Sequence, residues 1–195
     1  MTVDEMRATF HLFQPKVEKI LEAILLLLEE AAGRGWNVTQ YDIVKSLFLA
    51  DKDHLDEYGR PVTFDNYWAM EHGPVGDAAY DMLKPGYDWS KLGLEAAPWL
   101  WSPTSGRKAH FSLPARPANR RRLSGSDVNA LLASLERVKS LQFGRTRQLT
   151  HRNASYVAAW GDGSVKSVPM DPRLIPQHRD DDLIDDLIHA SRHAA

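Results

Sequence analysis

Residues 51–57 read DKDHLDE and hold the densest set of potential acid–base and metal-ligating groups in the chain. Asp51 and His54 are three apart, so on a helix they share one face, as metal ligands can. Asp53, Asp56 and Glu57 then point elsewhere, as a solvated face, and no HExxH pattern completes a set. No resident metal and no other cofactor is expected. His72 and His151 could join as proton-transfer groups. They have no nucleophile or phosphate motif beside them, since GxSxG, the P-loop and GxGxxG are all missing. The 8 histidines are scattered singly, and the absence of cysteine removes thiolate metal sites, cysteine nucleophiles and disulfides. No catalytic residue is assigned, and the expectation is a binding protein rather than an enzyme.

Asp51 carries a structural expectation as well. It falls on the apolar face of a helix, four after Leu47 and four before Leu55. A carboxylate there must find donors. Arg60 and the N–H groups of a helix opening at Pro74 are the candidates, the second favoured by the helix dipole. Tyr67, Trp68, Trp89, Trp99 and Trp101 crowd the middle of the chain and suit either a core or an interface hot spot. In a strand, Trp99 and Trp101 share one face and Leu100 takes the other. Trp68, His72, Trp99 and Trp101 are candidate partner-binding residues. Arg107, Lys108 and Arg120–Arg122 raise the reading of a winged-helix-like regulator that grips DNA phosphates. With 24 basic against 26 acidic residues the net charge is −2, so nucleic acid is not expected as the main ligand.

These residues need elements to hold them. Pro15 can open a helix whose apolar positions Val17, Ile20, Leu21, Ile24 and Leu28 form one stripe. Leu25–Leu27 widen that stripe, and Gly33 and Gly35 end the helix. Thr39 caps a second helix through Tyr58, stopped by Gly59 and Pro61. Val62–Met70 is extended or mixed, and Pro74 opens a third helix through Leu83. Residues 99–101 and 110–113 flank a turn cluster and form a β-hairpin. Ser124 or Ser126 caps a helix that Gly144 ends, with short helices over 145–149 and 154–160 after it. The expected fold is mainly α, a compact multi-helix single domain with one small β-hairpin over residues 1–160. A loop or linker follows over 161–179, and a C-terminal amphipathic helix or tail over 180–195. Leu183, Ile184, Leu187 and Ile188 line the tail's apolar face and complete the partner-binding candidates. No apolar run approaches the roughly 20 residues of a membrane helix, and the first residues do not read as a secretory signal. A cytoplasmic protein with no membrane partner is expected.

One stretch, SLFLADKDHLDEYGRPVTFDNYWAMEHGPVGDAAYDML, resembles the Panacea antitoxin domain, the SocA-like, prophage-associated family. Order and spacing carry the resemblance: Leu47-Phe48-Leu49-Ala50-Asp51, His54-Leu55, Tyr58-Gly59-Arg60-Pro61-Val62-Thr63, then Tyr67, Ala69 and Gly73-Pro74-Val75. Thr150-His151 and Ala159-Trp160 look like the family's closing motif, with threonine where serine is usual and no proline between Arg152 and Ala158. The resemblance covers residues 17–160. It implies a helical antitoxin that neutralises a cognate toxin by direct protein binding. Its alternative is an adaptor delivering the toxin to a Clp-type protease, and a homo-oligomer is compatible with either. It assigns Asp51, His54, Tyr58, Gly59, Pro61, Tyr67, Gly73, Pro74, Val75, His151 and Trp160 to the family motif. Their expected role is structural, because Gly59, Pro61, Gly73 and Pro74 act on backbone shape.

Overall fold

The computed structural model describes residues 10–103 and 109–193. Helix α1 (Val17–Gly33) is buried along every residue from Ile20 to Leu28. That run includes Glu22, which is bound by both Arg116 guanidinium nitrogens at 2.9 and 2.7 Å and by the Asn119 N–H at 2.6 Å. The leucine run thus makes α1 the central rod, as its all-round apolar character requires. Strand β1 (Val38–Thr39) leads into α2 (Gln40–Tyr58). Thr39 and Asp42 close a reciprocal capping box at its start, and Gly59 ends it at φ 67°.

After α2 come β2 (Tyr67–Met70), β3 (Gly73–Gly76) and α3 (Asp77–Met82). Here the expectation needs correction: Pro74 lies in a strand, and the third helix opens at Asp77. Glu71-His72 forms a two-residue turn that pairs Met70 with Gly73. β3 is an edge strand, where a residue without an N–H costs the ladder least. Strands β4 (Trp99–Pro103) and β5 (Ala109–Pro114) form the expected hairpin, and β1 adds to β5 to make a three-stranded antiparallel sheet.

Helix α4 (Gly125–His151) starts in a capping box at Ser124. It breaks at Gln142 (φ 57°, ψ −179°), two residues before the expected end at Gly144, and a second helical stretch runs on to His151, with Thr146 and Thr150 buried on this redirected half. α5 (Ala154–Trp160) follows, and then β6 (Ser167–Pro169). β6 pairs with β2 to complete a second antiparallel sheet in the order β3-β2-β6. The segment expected as a plain loop therefore contains a strand. α6 (Asp181–His193) closes the described chain.

Two apolar clusters form the core. One gathers α1, the inner faces of α2 and α4, and Trp89, Trp99 and Phe111. The other holds Phe13, Phe48, Phe64, Tyr67, Tyr156, Ile175 and Ile184. The fold is mainly α. Among the described residues, no helix is long and apolar enough to cross a membrane.

Candidate functional site

Asp51 is buried, and all its partners come from the loop and strand that follow α2. Its Oδ1 accepts the N–H groups of Val62 and Thr63, both at 2.8 Å. Its Oδ2 accepts the hydroxyls of Thr63 and of Tyr67, the latter at 2.8 Å. Burial raises its pKa, and these four hydrogen bonds pull the other way. The expected partners were different ones. Arg60 turns instead to Asp127, at 3.0 Å. The N–H groups of the α3 start go to Asp65, which accepts from Ala78 at 3.0 Å and Ala79 at 2.9 Å. Phe64 between Thr63 and Asp65 holds φ at 56°, a conformation that L side chains rarely adopt. That turn sends the Thr63 side chain to Asp51 and the Asp65 side chain to the start of α3.

His54 leaves the Asp51 side of the helix. Its Nδ1 lies 2.7 Å from the Arg60 carbonyl oxygen and its Nε2 3.0 Å from the Ser126 hydroxyl. Asp127 stands next to it and pairs with Lys19 at 2.7 Å. Burial raises the Asp127 pKa, but the hydrogen bond from Lys19 and those at Ser124 prevail and hold it low. Asp51 and His54 thus serve separate networks that bind α2 to its neighbours. Among the described residues, no three histidine, aspartate or glutamate side chains converge as a metal site would need.

The β2–β3 turn carries the other motif residues to one place. Gly73 sits at φ 100°, and an added Cβ would lie 2.7 Å from the Thr150 hydroxyl, 3.2 Å from Lys45 Nζ and 3.3 Å from the His151 ring. Only glycine allows that approach. Lys45 is 0% exposed and donates to the Pro74 carbonyl at 2.6 Å. Burial lowers its pKa from 10.5 to about 7. The His151 ring lies against Tyr156, which stacks on Trp160. Burial first, then the charges of Arg147, Lys45 and His72, lower the His151 pKa to about 4, so the ring is neutral at pH 7. Its Nε2 is buried and has no hydrogen-bond partner among the described residues.

Above these residues lies an open groove of about 550 Å³ between α2, the β2–β3 turn and Trp160. Tyr41, His72, Tyr80 and Trp160 supply aromatic walls, and Lys166 and Glu71 stand among its lining residues. Phe143, 42% exposed, packs its ring on Tyr41 and on the edge of His72 and extends the aromatic surface.

The partner-binding candidates divide. His72 is exposed at the groove. Trp68 and Trp99 are buried at 4% and 5% exposure, so as partner-binding candidates they are corrected: neither presents a surface, and Trp99 belongs to the first core cluster. Trp101 belongs to β4, but its side chain lies outside the described residues, as do Arg107 and Lys108. Ile184 is fully buried, and Leu187 and Ile188 pack on the same cluster, so the α6 stripe faces its own body. Leu183 approaches Gly59. Arg122 of the basic strip pairs with Glu18. Sequence reading passed over Lys45 and Tyr41. For Lys45 there was a signal: it lies within Ile43–Phe48, where the flanking apolar residues leave a helix no polar face.

The family model described as "Antitoxin SocA-like, Panacea domain" matches residues 43–155, more than half of the 195-residue chain. The match contains the Asp51 network, the β2–β3 turn and His151, and it ends before Trp160 and α6. No curated protein and no solved structure matches the chain.

Proposed function

The chain belongs to the SocA-like antitoxin family with the Panacea domain, and from that premise we propose that it is an antitoxin that neutralises a cognate protein toxin by direct binding. Family membership is the observation that carries this reading. The protein acts without catalysis, in the cytoplasm, by covering the toxin's active surface in a stable complex. The motif residues support that division of labour. Asp51, Tyr67, Gly73 and His151 build and brace the scaffold, while the aromatic groove beside the β2–β3 turn remains available to a partner. The test is co-expression with the adjacent reading frame. A product that is toxic alone, tolerated together with this chain and recovered in a complex with it is the expected result. Toxicity unchanged by co-expression would overturn the reading. Rescue with no complex, and only in cells with an active Clp-type protease, would replace occlusion with delivery to that protease.

A further inference from the structure

We propose that the groove between Tyr41, Tyr80 and Trp160 is the seat for an acidic segment of the partner, one that sets carboxylates beside an aromatic or apolar side chain. This inference rests on the antitoxin reading for the partner's identity, but its chemistry comes from the groove alone. Three cations meet there. Lys45 lies under the floor, Lys166 lines the wall, and Arg147 reaches the rim, where it donates to the Glu71 carbonyl at 3.1 and 3.3 Å. Among the described residues none of the three has a carboxylate within ion-pair distance. Elsewhere Lys19, Lys52, Arg60, Arg116 and Arg173 are each paired. Among the described residues, Glu71 is the one acidic residue lining the groove. A chain of net charge −2 thus presents a local positive field at this aromatic concavity.

Lys45 sharpens the argument. An ammonium buried against the Pro74 carbonyl and the Tyr41 ring, 5.3 Å from its centroid, with no anion beside it among the described residues, costs the fold stability. Its lowered pKa is the sign of that cost. A partner carboxylate laid in the groove would supply the missing counter-charge in a place partly shielded from water, where it counts for most. The tyrosine, histidine and tryptophan walls suit an apolar side chain next to it.

The test uses two probes with the full chain. The first is a glutamate–tyrosine copolymer, set against a lysine–tyrosine copolymer, with binding read by calorimetry. The acidic copolymer should bind and the basic one should not. The Arg147→Glu/Lys166→Glu double variant should lose at least about tenfold in affinity while still melting cooperatively, its melting temperature lowered only by the loss of the exposed Arg147 bonds to the Glu71 carbonyl. Failure of the acidic copolymer to bind, or equal binding by the variant, overturns the proposal. So does a wild-type dimer that the variant dissociates, because the exposed acidic face of α6 in a second copy would then be the occupant. The second probe is the product of the adjacent reading frame. If it co-purifies equally well with wild type and variant, the groove is not its seat and the antitoxin reading stands. If it never co-purifies, the antitoxin reading falls, while the copolymer result still decides the chemistry of the groove.

Discussion

Asp65 and Lys45 are both buried ionisable groups, yet their effects on stability run in opposite directions with pH. Burial raises the Asp65 pKa to about 7, against the pull of N–H groups from Ala79, Ala78 and Asn66. Its protonated form favours the folded state, so this contribution is full below the ordinary carboxylate pKa and is lost as pH rises toward 7. Thermal melts of wild type and Asp65→Asn at pH 5 and pH 8 should show it: the wild type's advantage is larger at pH 5. Lys45 has its pKa lowered to about 7, so the unfolded chain binds its proton more tightly. The resulting penalty is full below pH 7 and fades as pH rises toward 10.5. At neutral pH it amounts to roughly 4 kcal/mol. Lys45→Met should therefore raise the melting temperature at pH 7, and the gain should shrink at pH 10. At this scale the sequence showed that Asp51 needs donors but not which ones. Those donors come from residues 62–67, placed by the unusual backbone of Phe64, and no spacing rule points to a left-handed phenylalanine.

At the scale of elements, the β2–β3 turn is the part with least tolerance. Gly73→Ala must accept a strained φ and a contact at 2.7 Å with Thr150. The variant should be destabilised by roughly 3 kcal/mol or more and should melt well below wild type. Gly33→Ala is the control: nothing lies within 4 Å and the position is helical, so it should be neutral or up to about 1 kcal/mol more stable. Local signals predicted α1, the Thr39 and Ser124 caps, the Gly59 stop and the β4–β5 hairpin, because each is written in adjacent residues. The sheet β3-β2-β6 escaped. Ser167-Val168-Pro169 has the composition of a loop and becomes a strand only because β2, about a hundred residues earlier, offers it an edge. Pro74 was read as a helix opener because that role is local, whereas its use on a sheet edge depends on β2. Gly144 announced the break to within two residues, but not that Gln142 itself takes the left-handed φ.

Across the whole molecule, α6 joins regions far apart in sequence. Ile184 is buried in the second core cluster, Arg173 pairs with Asp185, and the Gln177 N–H donates to Asp56 at 2.6 Å. Removing residues 177–195 should lower the melting temperature by roughly 10 °C, from the apolar surface exposed and the bonds lost. Calorimetry of the truncated chain checks it. The amphipathic pattern of α6 was legible from Leu183, Ile184, Leu187 and Ile188, but its destination was not, since a stripe states what must be covered and not by what.

The other end of α6 holds the start of the described chain. The Gln14 N–H donates to the Ser191 hydroxyl at 3.0 Å, and Arg192 donates to the carbonyls of Leu12 and His11, both at 2.9 Å. Stretches about 180 positions apart are therefore fastened together, and the fold responds to force as a closed loop. A pull applied beyond His193 loads α6 first and must break this fastening before tension reaches the buried rod of α1. A pull applied ahead of Phe10 meets the same three bonds from the other side. Resistance to forced unfolding is set by the rate at which such a first barrier gives way. Under the antitoxin reading, the time for which a toxin stays neutralised in the presence of an unfolding protease is set by how long this fastening and the docking of α6 on the body together hold.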